Sequence, residues 1–273
     1  MGIGRTRMDR RWLAAGVIAL AALIGYATPS RADADNDLKT ALSELVSANH
    51  ILYDQNVFDG YGHISVRNPK DPNHFFMSRA VAPGMVTAAD IMEFDLDAVP
   101  LDRQGREIYI ERFIHSEIYK RRADVNAVIH SHSPTVIPFS IAQTTLKPVF
   151  HDASFLYTGA PVFDVRTAAG DGTNLLVMTP ALGKALAESL GNNAVVLIRG
   201  HGEAVVGPSI HVVVSRAIYT EENAKLQMQA LALGGPLNYL TPAEGEKVET
   251  LANSGGLWRV WNMWVAKAEK DLR

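Results

Sequence analysis

The chain has 273 residues, a formal net charge of −3 and 47% hydrophobic composition, enough for one sizeable core. It has nine histidines and no cysteine, which excludes a disulfide framework, a thiolate metal site and a cysteine nucleophile. Any metal must be held by histidine and carboxylate, and the absence of a basic stripe interleaved with aromatics excludes nucleic acid as an expected partner.

The N-terminus reads as a targeting segment. Arg5, Arg7, Arg10 and Arg11 precede an apolar run over 12–26, and Ser30, Ala32 and Ala34 offer small residues for cleavage. The run falls short of the roughly 20 residues of a membrane span. Arg10-Arg11-Trp12-Leu13 is similar to a twin-arginine signal. The expectation is a cleaved export leader over 1–34 and a single periplasmic or secreted domain over 35–273, with no stable membrane insertion after cleavage.

Along the mature chain, apolar residues at helical spacing (Leu38, Ala41, Leu42, Leu45, Val46) predict a helix over 37–53. The glycine turn Gly60-Tyr61-Gly62 feeds a strand over 63–67, and the loop 68–73 leads into another beginning at His74. Thr87 and Asp90 read as a cap before a strand over 91–96. A helix is expected over 110–121, a buried strand over 126–130, a helix over 135–142, and short strands over 149–151 and 160–163. A helix follows over 180–190, with Pro180 in its first turn. Strands over 194–198 and 204–206 flank Gly200-His201-Gly202, and a long helix runs over 209–233. Trp258, Trp261 and Trp264 form a helical packing stripe in a C-terminal helical extension. Strands and helices interleave without a repeat or a long linker, so the fold class is α/β.

The chemistry concentrates in four places. His130 and His132 are two apart at the end of a β-branched run, so on a strand they share a face. His201 follows another apolar run and sits between glycines that allow close backbone approach. Glu111 and His115 are four apart on the expected helix and would share a face. Three imidazoles and a carboxylate form a ligand set for a catalytic divalent cation with an open position. Glu111 can act there as fourth ligand or general base, and His115 as a substrate contact or as the group orienting Glu111.

With Gly62-His63-Ile64-Ser65-Val66-Arg67, Glu111 and His115, His130-x-His132 and His201-Gly202 at these spacings, the sequence over about 38–240 resembles the class II aldolase/adducin family. The resemblance implies a three-layer α/β/α sandwich with a mainly antiparallel central sheet, assembled as a homotetramer with active sites shared between subunits. It implies one Zn²⁺ or Mn²⁺ per subunit on His130, His132 and His201, with Glu111 as acid/base group or fourth ligand. It also implies lyase chemistry on a small molecule.

Departures from the sugar-phosphate aldolases point to another substrate. His63 stands where they have asparagine in the phosphate-binding turn, beside Ser65. Tyr109-Ile110 replaces their serine pair, and His151 takes the place of the tyrosine donated by a neighbouring subunit. The chain is closer to the decarboxylase-like branch, whose substrates include hydroxylated aromatic carboxylates. On that reading His151 protonates the carbanion left when CO₂ departs. His63 and Ser65 contact substrate, Arg79 and Arg112 are candidate partners for a carboxylate, and Tyr61 and Tyr157 lie near the pocket. Retro-aldol cleavage of a hydroxy-carbonyl compound is the alternative within the same chemistry. A non-catalytic adducin-like or periplasmic metal- or solute-binding protein is the alternative of another class.

Overall fold

The computed structural model describes residues 1–2, 31–252 and 256–271. The export leader expected from the sequence, with its apolar run over 12–26, lies outside the described residues. Among the described residues no helix is long and apolar enough to cross a membrane.

Helix α1 (Arg31–Asp54) opens the domain. Strands β1 (His63–Arg67), β2 (His74–Ser78) and β3 (Ile91–Asp95) form a meander. Helix α2 (Phe113–Arg121), strand β4 (Ala127–Ser131) and the short α3 (Ile137–Ile141) come next. They lead through a 3₁₀ segment (His151–Thr158) to β5 (Val162–Phe163), α4 (Arg166–Ala169) and α5 (Pro180–Leu190). Strands β6 (Val195–Ile198) and β7 (Gly202–Gly207) precede α6 (Ile210–Leu233), α7 (Pro242–Ala252) and α8 (Trp258–Asp271).

Among the described residues seven strands form one sheet in the order β3-β2-β1-β4-β7-β6-β5. Every pairing is antiparallel except β5 with β6 at one edge. Side chains alternate between two cores. Ile64, Val66, Ile129, Leu197 and Val205 meet α1, α6 and α8 on one face. Phe75, Val128, Val196, Ala204 and Val206 meet Ile114 and Ile118 of α2 and Leu186 and Leu190 of α5 on the other. This is the expected α/β/α sandwich. Central β4 is buried at all five positions because helices cover both faces of the sheet, so its sequence reads as a continuous run rather than an alternation.

Local chemistry sets several boundaries. Ser209 caps α6 by accepting the Val212 N–H (3.3 Å), and Thr179 caps α5 by accepting the Leu182 N–H (3.3 Å). Thr87 and Asp90 make the reciprocal capping contacts expected from their spacing.

Three expectations are corrected. The helix expected from Ile110 starts at Phe113, and Glu111 lies in the entry turn, its carbonyl accepting the Ile114 N–H. The strand expected over 149–151 is absent, because α6 takes the hydrogen bonds a neighbouring strand would have made. Asn223 bonds the Val149 N–H and the Lys147 carbonyl, and Gln227 bonds the Lys147 N–H and the Thr145 carbonyl. The tryptophan stripe is narrower than expected. Trp261 and Trp264 are 7% and 5% exposed and continue to buried Ala268, whereas Trp258 is 61% exposed at the helix start.

Candidate metal centre

The pairing of β1 with β4 sets His63 directly opposite His130, and that of β4 with β7 sets His130 opposite Ala204. His130 therefore points to the α2/α5 face. His132 lies just beyond β4, and His201 lies in the turn between β6 and β7. Gly200 has φ +63, and a Cβ at Gly202 would come within 2.0 Å of the Ser131 carbonyl. The two glycines let this turn close against β4 and carry His201 to the same end of the sheet.

Glu111, His130, His132 and His201 each offer a ligand atom, and these atoms lie within 4.8 Å of one another. Each imidazole is anchored through Nδ1. His130 Nδ1 donates to the Glu203 carbonyl (2.9 Å), His201 Nδ1 to the Leu175 carbonyl (3.1 Å) and His132 Nδ1 to the Asp59 carboxylate (3.0 Å). These acceptors have no hydrogen to give, so in the neutral rings the free lone pair sits on Nε2. Burial brings His201 down to about 4 and His130 well below the usual histidine value, so both rings are neutral near pH 7, the form in which an imidazole can ligate.

The arrangement fits a cation. His130 Nε2 is buried without a hydrogen-bond partner among the described residues. His132 Nε2 and His201 Nε2 stand 3.1 Å apart, two lone pairs facing each other. Glu111 Oε2 is 3.6 Å from both His130 Nε2 and His201 Nε2. Ligand atoms about 2.0–2.1 Å from a tetrahedral zinc stand about 3.4 Å from one another. Glu111 Oε1 accepts the Val177 N–H (2.8 Å), which leaves Oε2 for the centre. Burial raises the Glu111 carboxyl, against the lowering effect of that N–H and of His132.

The family description "Class II Aldolase and Adducin N-terminal domain" matches residues 43–228. The chain belongs to the class II aldolase and adducin family. It is 40% identical to the decarboxylase tropJ of Talaromyces stipitatus over 82% of this chain and 92% of that protein. It is 28% identical to 3,4-dihydroxyphthalate decarboxylase of Arthrobacter keyseri over 83% and 93%. Human β-adducin matches at 22% identity over 68% of this chain and 25% of its own length. The L-fuculose 1-phosphate aldolase of Glaciozyma antarctica shares the fold with a TM-score of 0.69 at 21% identity, over 90% of this chain and 93% of that one. Two of these relatives are thus named as decarboxylases, and the fold is that of the class II aldolases.

In this family member the other expected site residues fall into two groups. His63 and Ser65 point to the metal-centre face and join His115 in a buried polar row. His63 Nδ1 meets His115 Nε2 at 2.7 Å, His115 Nδ1 meets Ser65 Oγ at 2.7 Å, and Ser65 Oγ meets the Tyr119 hydroxyl at 2.8 Å. His115 therefore turns to the sheet and does not orient Glu111, since Glu111 precedes the helix. Burial takes His115 down to about 3. The His63 ring packs 5.1 Å from the His130 ring and 4.5 Å from that of Tyr109. Exposed Tyr61 has its ring 6.4 Å from that of His132.

The remaining residues lie elsewhere. Arg79 Nε donates to Asp90 (2.6 Å), which ties it to the turn before β3. Arg112 gives Nε to the Ala98 carbonyl and Nη1 to that of Tyr109 and stacks on Phe113, a structural engagement in place of the expected free guanidinium. His151 is 74% exposed beside Asp152 and outside the four-residue cluster. Tyr157 packs on Gly245 of α7 and lines a separate cleft with Arg122 and Arg216.

Four contributors to the centre escape the sequence reading. They are Asp59, the Leu175 carbonyl, the Val177 N–H and the Glu203 carbonyl. Asp59-Gly60 is a recognisable turn pair, but its reach to His132 crosses 73 positions. Leu175 has φ +68, a left-handed conformation that aims its carbonyl at His201. The Glu203 side chain leaves on the opposite face of the sheet. There it accepts hydrogen bonds from Ser131 and Ser133, and burial pushes it up to about 8.

Proposed function

We propose that this protein is a metal-dependent decarboxylase of a small, non-phosphorylated, hydroxylated aromatic carboxylic acid. One Zn²⁺ or Mn²⁺ per subunit would be held by His130, His132 and His201, with the Glu111 carboxylate beside it as the acid/base group. The observation that carries this reading is the convergence of three anchored imidazoles and one carboxylate oxygen on a common point, with His130 Nε2 buried and unpartnered among the described residues. Decarboxylation is supported by the relatives at 40% and 28% identity. His63 and Tyr109-Ile110, in place of the aldolases' phosphate-binding residues, support a substrate without phosphate.

When bound, the cation supplies positive charge that draws a substrate hydroxyl or carbonyl oxygen and stabilises the negative charge left as CO₂ departs. The protein does the rest. The Nδ1 anchors hold the three imidazoles in one tautomer. Glu111, fixed through Oε1 by the Val177 N–H, keeps Oε2 free to hold or release a proton at the centre. His63, held at Nδ1 by His115, leaves its other ring nitrogen for a substrate oxygen. His151 supplies the proton to the product carbanion from a neighbouring subunit of a homotetramer, which agrees with its exposure on the single chain. The N-terminal leader makes the enzyme periplasmic or secreted.

The test is elemental analysis of the purified protein, followed by CO₂ release from 3,4-dihydroxyphthalate and a panel of hydroxylated benzoates, with and without EDTA. L-fuculose 1-phosphate cleavage is measured in parallel. One Zn or Mn per chain and chelator-sensitive CO₂ release is the expected result. Metal with sugar-phosphate cleavage and no CO₂ would replace the decarboxylase reading by an aldolase, and a protein that takes up no metal would replace it by an adducin-like scaffold.

A further inference from the structure

Of the three Nδ1 anchors, two are main-chain carbonyls, Glu203 and Leu175, which no substitution removes. The third, at His132, is the side chain of Asp59. Its two oxygens do different work. Oδ1 accepts the N–H of Tyr61 (2.8 Å) and of Gly62 (3.2 Å), which shapes the turn leading into β1. Oδ2 faces His132 Nδ1 at 3.0 Å. His132 leans on that contact more than the other two rings lean on theirs. It lies beyond the end of β4, and its side chain is 22% exposed, against 0% for His130 and 9% for His201.

We propose that Asp59 is a positioning residue for the metal centre: its Oδ2 fixes the proton of His132 on Nδ1 and so presents the Nε2 lone pair to the cation. This inference rests on the metal-dependent reading above and assigns the carboxylate half of a carboxylate–histidine–metal relay.

The geometry makes an amide at this position diagnostic. In Asp59→Asn the two backbone N–H groups of Tyr61 and Gly62 still require an acceptor, so they hold the amide oxygen on their side. The amide NH₂ then faces His132 Nδ1. A donor there demands that Nδ1 become the acceptor, and the ring proton moves to Nε2, where it blocks ligation. The turn keeps its hydrogen bonds while the ligand loses its lone pair. A merely structural role for Asp59 would leave the tautomer unchanged.

The experiment uses full-length metal-free protein and Zn²⁺ alone as the probe, in competition with a chromophoric chelator. Wild type, Asp59→Asn and His132→Ala are compared, together with ¹⁵N spectra of histidine-labelled metal-free protein that read which ring nitrogen of His132 carries the proton. Asp59→Asn should bind Zn²⁺ about 10- to 100-fold more weakly than wild type, with its proton on Nε2 and the urea midpoint of the metal-free form unchanged. Wild-type affinity in Asp59→Asn would overturn the proposal. So would a wild-type His132 already protonated on Nε2, a result that needs no folded Asp59 variant. If wild type binds no Zn²⁺, or His132→Ala binds as tightly as wild type, the metal-centre reading itself falls and this proposal with it.

Discussion

Glu111 shows how one side chain can be both fixed and free. Val177 holds Oε1, burial raises the carboxyl, and Oε2 is 3.6 Å from two imidazole nitrogens. A glutamine keeps an acceptor for Val177 but cannot carry a proton to and from the reacting atoms. Glu111→Gln should therefore retain bound metal by elemental analysis and lose CO₂ release by about 100-fold or more. An unchanged rate would remove Glu111 from proton transfer. The row Tyr119–Ser65–His115–His63 is a second residue-scale feature. Each member is buried and satisfied by the next, so removing one strands its neighbours, which costs more than the single lost bond.

Helix α6 organises the segment that leads to His151. Asn223 and Gln227 are fully buried and take four main-chain groups over 145–149, a job that falls elsewhere to a strand. Replacing either with alanine should cost about 1–3 kcal/mol in urea unfolding, the penalty for leaving buried backbone groups unpaired. The 3₁₀ turn before β3 yields a pH prediction. Burial pushes the Asp90 carboxyl up, but hydrogen bonds from Thr87 and Arg79 outweigh it, and the net shift is downward. A lowered folded-state value means Asp90 stabilises the fold above its unfolded value of about 3.9 and ceases to as pH falls through the folded value. Wild type should melt higher than Asp90→Asn at pH 7, and the gap should shrink toward pH 2. A gap independent of pH would show that the charge on Asp90 contributes nothing.

At the scale of the whole molecule, the sandwich brings β4, the β6–β7 turn, the entry to α2 and the turn before β1 to one end of the sheet. The candidate centre sits there, and exposed His151 is outside the cluster on the same chain. If a neighbouring subunit supplies His151, mixing inactive His151→Ala and inactive Glu111→Gln proteins should restore part of the activity in hybrid oligomers, since some sites then combine one intact residue from each. Activity that stays absent after subunit exchange is verified by mass spectrometry would place the proton donor elsewhere. The C-terminal extension docks through Trp261, Trp264 and Ala268 against α1 and α6, with Trp261 over His211 at 4.2 Å, and closes the core on the face away from the centre.

Features that depend on neighbours in sequence were legible from the chain alone. The two-residue spacing of His130 and His132, the glycines about His201, the cap at Thr87 and the uninterrupted apolar run of β4 each follow from local periodicity or backbone sterics. Together with the position of Glu111 they were enough for the α/β class and for the four residues of the cluster, while the layer architecture came from the resemblance to the class II aldolase/adducin family. Features that depend on what packs alongside were not legible. Glu111 left the helix and His115 turned to the sheet because the entry turn and cross-strand partners decide those directions. The 149–151 strand dissolved because amides 74 to 82 positions away satisfied the backbone around it. Asp59 joined His132 across 73 residues, and Leu175 joined His201 across 26. Hydrogen-bond partners so distant in the chain leave no periodic trace, and tertiary structure alone decides which of many equally suitable carboxylates and carbonyls stands behind each imidazole.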